Sequence, residues 1–267
     1  MKNKIGIMQG RLVPREIKSR IQSFPFKNWK KEIILLKKKK IKFIEWTIDY
    51  RKFLKNPLIE FPMHTKMFLK KNNVKCNSIT ADFFMQQPAW KNKKTDFYLK
   101  KLSTICEKLK IKFIIIPLVD NSSIKSNNEN QIIEYFRKLN NKNYFNKNTK
   151  ILFELDLPPK KVKKFLKKVG KNYGINYDTG NSAYHGYNFK NEMIYFNKVY
   201  NIHIKDRKKG QQSISLGKGD FNFKIFFRFV KKIRYNGNLI LQTYMPKEDK
   251  CVISETLKNL EFIKKNV

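Results

Sequence analysis

Cysteine, histidine and acidic residues are scarce in this sequence. Three cysteines among 267 residues are too few, and odd in number, for a framework of disulfide bonds, which favours a reducing cytoplasm. No apolar run approaches the roughly 18 residues of a membrane span. The amino-terminal stretch MKNKIGIMQG reaches a polar turn too soon for a secretory signal. We therefore expect a cytoplasmic protein with no membrane partner.

The shortage of acidic residues leaves a large positive charge. Lysine and arginine number 59 against 21 aspartates and glutamates, giving a formal net charge of +38. Such a surface would suit a nucleic acid or an anionic membrane. However, the lysines are dispersed, as in LKKKKIK and KKVKKFLKKVGK, and lysine and asparagine are abundant throughout, as an AT-rich genome would produce. We favour this compositional explanation and expect no specific nucleic-acid partner, only weak, salt-sensitive binding to polyanions.

Short apolar, β-branched segments alternate with segments of helical period along the chain. Strands are predicted at 4–8, 42–47, 74–79, 113–118, 151–155, 174–178, 200–204 and 239–243. Among the helices between them, one is predicted at 95–110, one has Pro62 in its first turn, and one runs over 221–233 with Asp220 as its N-cap. Eight such repeats without a Gly/Ser linker predict one α/β domain over 1–267, a (β/α)₈ TIM barrel.

A doubly wound open sheet is the alternative fold. Its first strand usually leads into a glycine-rich phosphate-binding turn. Here that turn reads MQGRLVPR, which has one glycine and no such fingerprint. The barrel is therefore the favoured architecture.

Four consecutive predicted strands carry a polar side chain near their carboxyl ends. These are Glu154 in ILFELD, Asp178 in INYDTGN, His203 in NIHIKDR and Gln242 in LILQTYM, and strand alternation places them on one face. In a barrel this end faces the active site. Two carboxylates, an imidazole and an amide oxygen suit one divalent ion: Mn²⁺, Mg²⁺, Co²⁺ or Zn²⁺. Each also has an ordinary explanation, since a lone strand histidine is commonly structural, Asp178 could start a turn and Glu154 could cap a helix.

Several segments together resemble the sugar phosphate isomerase/epimerase superfamily, the xylose isomerase-like TIM barrels that also include endonuclease IV. The resemblance covers most of the chain and rests on IGIMQGRL, FPFKNWKKEI, FIEWTID, ILFELD, NYDTGNS, NIHIKDR, LGKGDFNF and LILQTYM. It implies a divalent metal held by Glu154, Asp178, His203 and Gln242. Gln242 departs from the usual glutamate, because an amide oxygen can coordinate but cannot take a proton. Asn181 stands where many members have a histidine.

Position near the predicted rim suggests roles for other residues. Glu154 and Lys205 are the expected catalytic residues, and Lys205, Arg11 and Arg207 would face an anionic substrate. For Glu45 two interpretations are equally favoured, a site role or a salt bridge to a neighbouring strand. The segment DFFMQQPAW at 82–90 could be a lid or could pack on the rim. The predicted substrate-binding residues are Gln9, Arg11, Glu45, Asn181 and Arg207.

The implied function is that of an enzyme, a metal-dependent isomerase or epimerase acting on a sugar, sugar phosphate or sugar acid through an enediolate intermediate. Isomerisation is slightly favoured, because Gln242 cannot be the second base that epimerisation uses, although Lys205 or Glu45 could replace it. One alternative is a ligand-binding member without catalysis. Another is an endonuclease IV-like DNA-repair phosphodiesterase, whose metals several histidines hold; this chain has three histidines. The expected partner is a small anionic carbohydrate, and a homo-oligomer is left open.

Overall fold

A computed structural model of the protein describes residues 4–17, 22–49, 52–246 and 248–267. Eight parallel strands form a closed barrel, in which each strand pairs with the next and the last pairs with the first. The predicted (β/α)₈ barrel is confirmed. The strands are β1 (Lys4–Met8), β2 (Phe43–Thr47), β3 (Lys75–Thr80), β4 (Phe113–Leu118), β5 (Lys150–Leu155), β6 (Gly174–Asp178), β7 (Val199–Ile204) and β8 (Asn238–Leu241).

One main helix follows each barrel strand. These helices are α1 (Trp29–Lys38), α2 (Pro62–Lys71), α3 (Thr95–Leu109), α4 (Glu129–Asn141), α5 (Pro159–Val169), α6 (Thr179–His185), α7 (Phe223–Lys232) and α8 (Val252–Asn266). Shorter helical turns lie at Phe53–Lys55, Pro57–Glu60, Phe83–Gln86, Asp120–Ser122, Phe189–Glu192, Met193–Lys198 and Asp249–Cys251. Asp206–Arg207 pairs with Ser213–Ile214 in a small antiparallel ribbon. Within the described ranges, no helix has the length and apolar character needed to cross a membrane.

The apolar core lies between the barrel wall and the surrounding helices. In β7 the isoleucines Ile202 and Ile204 flank His203 and are fully buried, as the period of two along a strand requires. Helix α5 buries one stripe of side chains, including Val162 and Phe165, at the period of 3.6 that faces a sheet. Burial of each such side chain stabilises the fold by roughly 1.5–3 kcal/mol.

Strand β8 ends earlier than the sequence pattern predicts. Its last residue is Leu241, so Gln242 lies just beyond the strand. The backbone N–H of Gln242 still donates to Ile204 O at 2.9 Å. This bond holds Gln242 beside the end of β7, at the rim where it was predicted.

The start of α7 also differs from the prediction. Asn222 is its N-cap, and the Asn222 side chain accepts a hydrogen bond from the N–H of Ile225 at 3.0 Å. The prediction that Asp220 caps this helix was wrong. Its carboxylate instead accepts from the backbone N–H of Lys209 at 2.8 Å, so it stabilises the preceding loop.

A belt of four asparagines crosses the barrel interior. We call Asn77, Asn238, Asn201 and Asn176 the asparagine belt; they lie in β3, β8, β7 and β6. Asn238 Nδ2 donates to Asn201 Oδ1 at 2.8 Å, and Asn201 Nδ2 donates to Asn176 Oδ1 at 2.7 Å. Asn77 and Asn238 exchange two bonds of 3.2 Å. Strands β3 and β8 are not neighbours, so these two bonds cross the interior, two residues below the predicted ligands of β6 and β7.

Candidate active site

Three of the four predicted metal ligands converge at the carboxyl end of the barrel. Glu154, Asp178 and His203 each offer a ligand atom within 4.8 Å of the other two, and all three side chains are buried. Their strands β5, β6 and β7 are consecutive in the barrel, which is why alternation along each strand brings them together. Two carboxylates and an imidazole at this spacing fit a divalent cation.

The imidazole of His203 lies between two glutamates. Its Nε2 is 2.5 Å from Glu45 Oε1 and its Nδ1 is 3.0 Å from Glu154 Oε2. Burial alone would lower the pKa of His203, but the charge of Glu45 and the hydrogen bonds to both glutamates outweigh it and raise the pKa to about 10. His203 is therefore an imidazolium when no metal is bound, and a metal binding at Nδ1 would displace a proton.

Glu45 forms a salt bridge with His203 of β7. The predicted salt bridge was to a neighbouring strand, whereas the neighbours of β2 are β1 and β3, so this pair instead spans the barrel interior. Besides His203, its carboxylate accepts from Thr80 Oγ1 at 2.6 Å and from Asn201 Nδ2 at 2.9 Å. Burial would raise the pKa of Glu45, yet the His203 charge and the hydrogen bonds from His203 and Thr80 lower it overall. Glu45 is thus an ionised carboxylate that orients His203.

Two asparagine side chains hold the carboxylate of Glu154. Asn176 Nδ2 donates to Oε2 at 2.8 Å, and Asn181 Nδ2 donates to Oε1 at 3.3 Å. Asn181 therefore lies beside the candidate metal site, in contact with Glu154, and its substrate-binding role stays a prediction. Asn176 was not predicted, but it lies two residues before Asp178, and strand alternation alone would have placed it on the same face.

The carboxylate of Asp178 has two different neighbours. Its Oδ1 accepts from the backbone N–H groups of Gly180 at 2.7 Å and Asn181 at 2.9 Å, capping α6. Its Oδ2 is 2.9 Å from Lys205 Nζ, and the same Nζ donates to Gln242 Oε1 at 3.1 Å. Burial would raise the pKa of Asp178, but the charges of Lys205 and His203 lower it. Gln242 thus reaches the candidate site through Lys205.

Arg11 lies inside the connection that follows β1. It is 2 % exposed, and its Nε donates to Thr243 O at 3.0 Å. Glu32 supports the same connection by accepting from the N–H groups of Gly10 at 2.8 Å and Leu12 at 3.1 Å. Burial lowers the pKa of Arg11 to about 10, which leaves it charged at neutral pH. This placement gives the predicted anion-binding role of Arg11 no direct support.

Arg207 and Gln9 differ in the contacts that their side chains make within the protein. Arg207 Nε donates to Gln211 O at 2.8 Å, and its guanidinium lies 4.2 Å above the ring of Tyr184, a cation–π contact. Gln9 is fully buried and its Oε1 accepts from the N–H of Thr47 at 3.2 Å. Among the described residues, Gln9 Nε2 has no hydrogen-bond partner, so it is a buried donor that a substrate hydroxyl could accept from.

The three histidines of the chain lie apart from one another. His64 is exposed on α2, outside the barrel. His185 ends α6 and stacks on Tyr187, whereas His203 belongs to the cluster. A metal cluster held by several histidines is therefore not assembled from these residues.

The segment at 82–90 packs on the rim. It forms a short helical turn, Phe83–Gln86, in which Phe83 and Phe84 are buried. Phe83 contacts the rings of Phe53 and Tyr98. The structure therefore agrees better with the hypothesis that this segment packs on the rim than with the hypothesis that it is a lid.

Solved structures share this architecture. D-allulose 3-epimerase from Methylomonas sp., in complex with D-allulose, is 17% identical with a TM-score of 0.71, over 99% of this chain and 97% of that one. The 3-keto-D-glucoside 4-epimerase of E. coli is 12% identical with a TM-score of 0.70, over 98% and 100%. A xylose isomerase-like TIM barrel protein from Mycobacterium smegmatis, in complex with magnesium, is 14% identical with a TM-score of 0.69, over 100% and 99%. At these identities the likeness concerns the fold.

A family comparison covers most of the sequence. A comparison with curated proteins gives no match. The family model described as xylose isomerase-like TIM barrel matches residues 35–265, which include all three residues of the candidate metal cluster. The chain therefore belongs to the family of xylose isomerase-like TIM barrels.

Proposed function

We propose that this protein is a metal-dependent sugar isomerase or epimerase, with isomerisation favoured, acting on a sugar, sugar phosphate or sugar acid. The observation that carries the proposal is the convergence of Glu154, Asp178 and His203 at the carboxyl end of the barrel. Structural neighbours whose names give them as epimerases of allulose and of a keto-glucoside support a carbohydrate substrate. The internal partners of Arg11 and Arg207 give no support to an anionic one.

Glu154, Asp178 and His203 would hold the metal ion. A divalent cation there supplies positive charge that stabilises negative charge developing on neighbouring substrate oxygens. The donor set suits Mn²⁺, Mg²⁺, Co²⁺ or Zn²⁺, and a neighbour in complex with magnesium supports this range.

Glu154 is the residue proposed to move the proton. Its carboxylate is fixed by the amides of Asn176 and Asn181, so it would remove a proton from the carbon beside the substrate carbonyl in one orientation. Gln9 Nε2, buried and unpartnered among the described residues, would bind a substrate hydroxyl. Glu154 and Gln9 would together restrict the orientation of the bound substrate.

The choice between isomerisation and epimerisation depends on a second base. Gln242 cannot take a proton, and the carboxylate of Glu45 is occupied by His203, Thr80 and Asn201. Of Lys205 and Glu45, the two residues that could replace Gln242 as the second base, Lys205 remains. A single carboxylate can shuttle a proton between adjacent carbons on the same face, which is aldose–ketose isomerisation.

Turnover in D₂O tests this choice. A one-base isomerase should place solvent deuterium at the neighbouring carbon and return part of the original proton there, because one carboxylate serves both carbons. The measurement is NMR of the products from a panel of ketoses and aldoses, with and without added Mn²⁺. Clean inversion at one carbon, with deuterium at that carbon and no aldose–ketose conversion, would show that a second base exists.

The proposed metal site predicts that the purified protein contains a bound divalent ion. Purified protein should carry about one divalent ion per chain, and Asp178→Asn or His203→Ala should lower that content sharply, because each removes one of three buried ligands. Elemental analysis measures it. The matched control is Asp220→Asn, the same chemical change in a loop outside the cluster, which should leave the content unchanged. Full occupancy in both site variants would reject the assignment.

A ligand-binding member without turnover is the second candidate. The contact of Gln242 with Lys205 favours it, because Gln242 stands where a glutamate is usual and cannot take a proton. The same sugar panel separates the two functions: binding detected by calorimetry without conversion would support this candidate. We propose no specific nucleic-acid partner, and metal-dependent nicking at an abasic site in near-physiological salt would contradict that.

A further inference from the structure

We propose that Lys205 is a tethered competitor of the divalent cation. Its ammonium group occupies the cation position beside Asp178 until a metal ion displaces it, so Lys205 weakens the affinity of the site for metal. This inference rests on the proposed metal site and goes beyond it, because it gives Lys205 a role in metal affinity separate from any role in proton transfer.

The competition follows from the two oxygens of Asp178. Oδ1 is engaged by the N–H groups of Gly180 and Asn181, so Oδ2 is the oxygen left for a metal. Lys205 Nζ lies 2.9 Å from that same Oδ2. A divalent ion binds carboxylate oxygens at about 2.0–2.6 Å, and a second cation so close would repel it. Metal binding therefore requires the ammonium to move away.

The position of Lys205 is built into the fold. A Cβ at residue 180 would lie 2.6 Å from Lys205 Cε and 2.9 Å from Cγ, so Gly180 is the residue that leaves room for the lysine stem. The backbone N–H of Lys205 donates to Thr179 Oγ1 at 2.9 Å. The side chain is 14% exposed. The packing of the side chain thus directs the ammonium group at Asp178. Lys205 does not sample the many conformations of an exposed surface lysine.

Displacement of Lys205 costs free energy because of what remains near it. Once Asp178 binds a metal, the other contact of Nζ is the neutral oxygen of Gln242, which compensates the charge less than a carboxylate would. The ion pair with Asp178 is therefore lost without an equal replacement, and this loss is subtracted from the metal affinity.

Calorimetric titration with Mn²⁺ and with Zn²⁺ tests the proposal, using Lys205→Met. The variant should bind the ion about tenfold more tightly or better, because the competing charge is gone. Lys208→Met is the matched control: Lys208 is exposed three residues further on, so its removal lowers the global charge equally. Its affinity should stay within about twofold of wild type, since exposed charges are screened by salt.

Thermal unfolding gives an independent readout. Without metal, Lys205→Met should unfold at a lower temperature than wild type, because the buried carboxylate of Asp178 loses its charged partner. Added Mn²⁺ should raise the unfolding temperature of the variant more than that of wild type. If the methionine variant is unstable, Lys205→Gln removes the same charge, retains a polar group, and carries the same expectations.

The outcomes distinguish this proposal from the metal site itself. Equal or weaker metal affinity in Lys205→Met, with clear binding in wild type, would overturn the competitor role and leave the proposed function standing. No metal binding in either protein would overturn both. Binding by the variant alone would support the competitor role in its strongest form.

Discussion

Glu154→Gln should lower sugar turnover by about 10²- to 10⁴-fold, the contribution of a positioned general base. The substitution keeps an oxygen that can coordinate metal but removes the group that takes the proton. Initial rates at saturating substrate and saturating Mn²⁺ measure the effect, with metal content determined on the same samples. The loss should fall on kcat, because the proton is transferred after the substrate has bound.

A matched control makes the Glu154 result specific. Glu134→Gln is the same chemical change at an exposed position of α4 and should leave kcat unchanged. Turnover by metal-loaded Glu154→Gln within about threefold of wild type would contradict the assignment, since a missing base cannot have so small an effect. A loss restored by excess metal would instead mean that Glu154 acts only as a ligand.

Glu45→Ala should lower the free energy of unfolding at pH 7 by about 3–5 kcal/mol, the cost of breaking a buried ion pair from one side. Glu45 and His203 both have fully buried side chains, so the variant leaves an imidazolium without its closest counter-charge. Urea unfolding of metal-free protein measures this change.

The control for Glu45 removes one of its donors instead. Thr80→Val deletes the hydrogen bond from Oγ1 to Glu45 and should cost about 1–3 kcal/mol. The Glu45→Ala cost should also shrink as the pH rises from 6.5 toward 10. A raised histidine pKa stabilises the fold below its unfolded value, and this stabilisation is lost as His203 deprotonates in the folded protein. A pH-independent cost below about 1 kcal/mol would mean that the pair is not ionised.

Much of the fold could be predicted from local pattern. Strands β1, β4 and β6 have the predicted bounds, because alternation and β-branched runs define them without help from distant residues. The errors fall where neighbours decide the outcome. Asp220 and Asn222 are both good cap residues, and only the loop contact to Lys209 shows which of them is free to cap α7.

The candidate site was predictable as a set of residues but not as a set of contacts. Position at strand ends indicated Glu154, Asp178 and His203, because the period of two fixes their face. The partners of Lys205 could not be read in the same way, since Asp178 and Gln242 come from different strands and both are reached by a flexible side chain. Likewise, nothing local to Glu45 distinguished a catalytic role from its pairing with His203.

The asparagine belt links the charged residues of the site to strands that lie further round the barrel. The NH₂ groups of Asn176 and Asn201 point at Glu154 and Glu45, and carboxylate oxygens accept these hydrogen bonds. That choice fixes which way Asn238 faces. It extends to Asn77, on a strand that carries none of the metal ligands. The orientations of the four amides are therefore linked, and their side-chain NMR signals should respond to the protons and cations held above them.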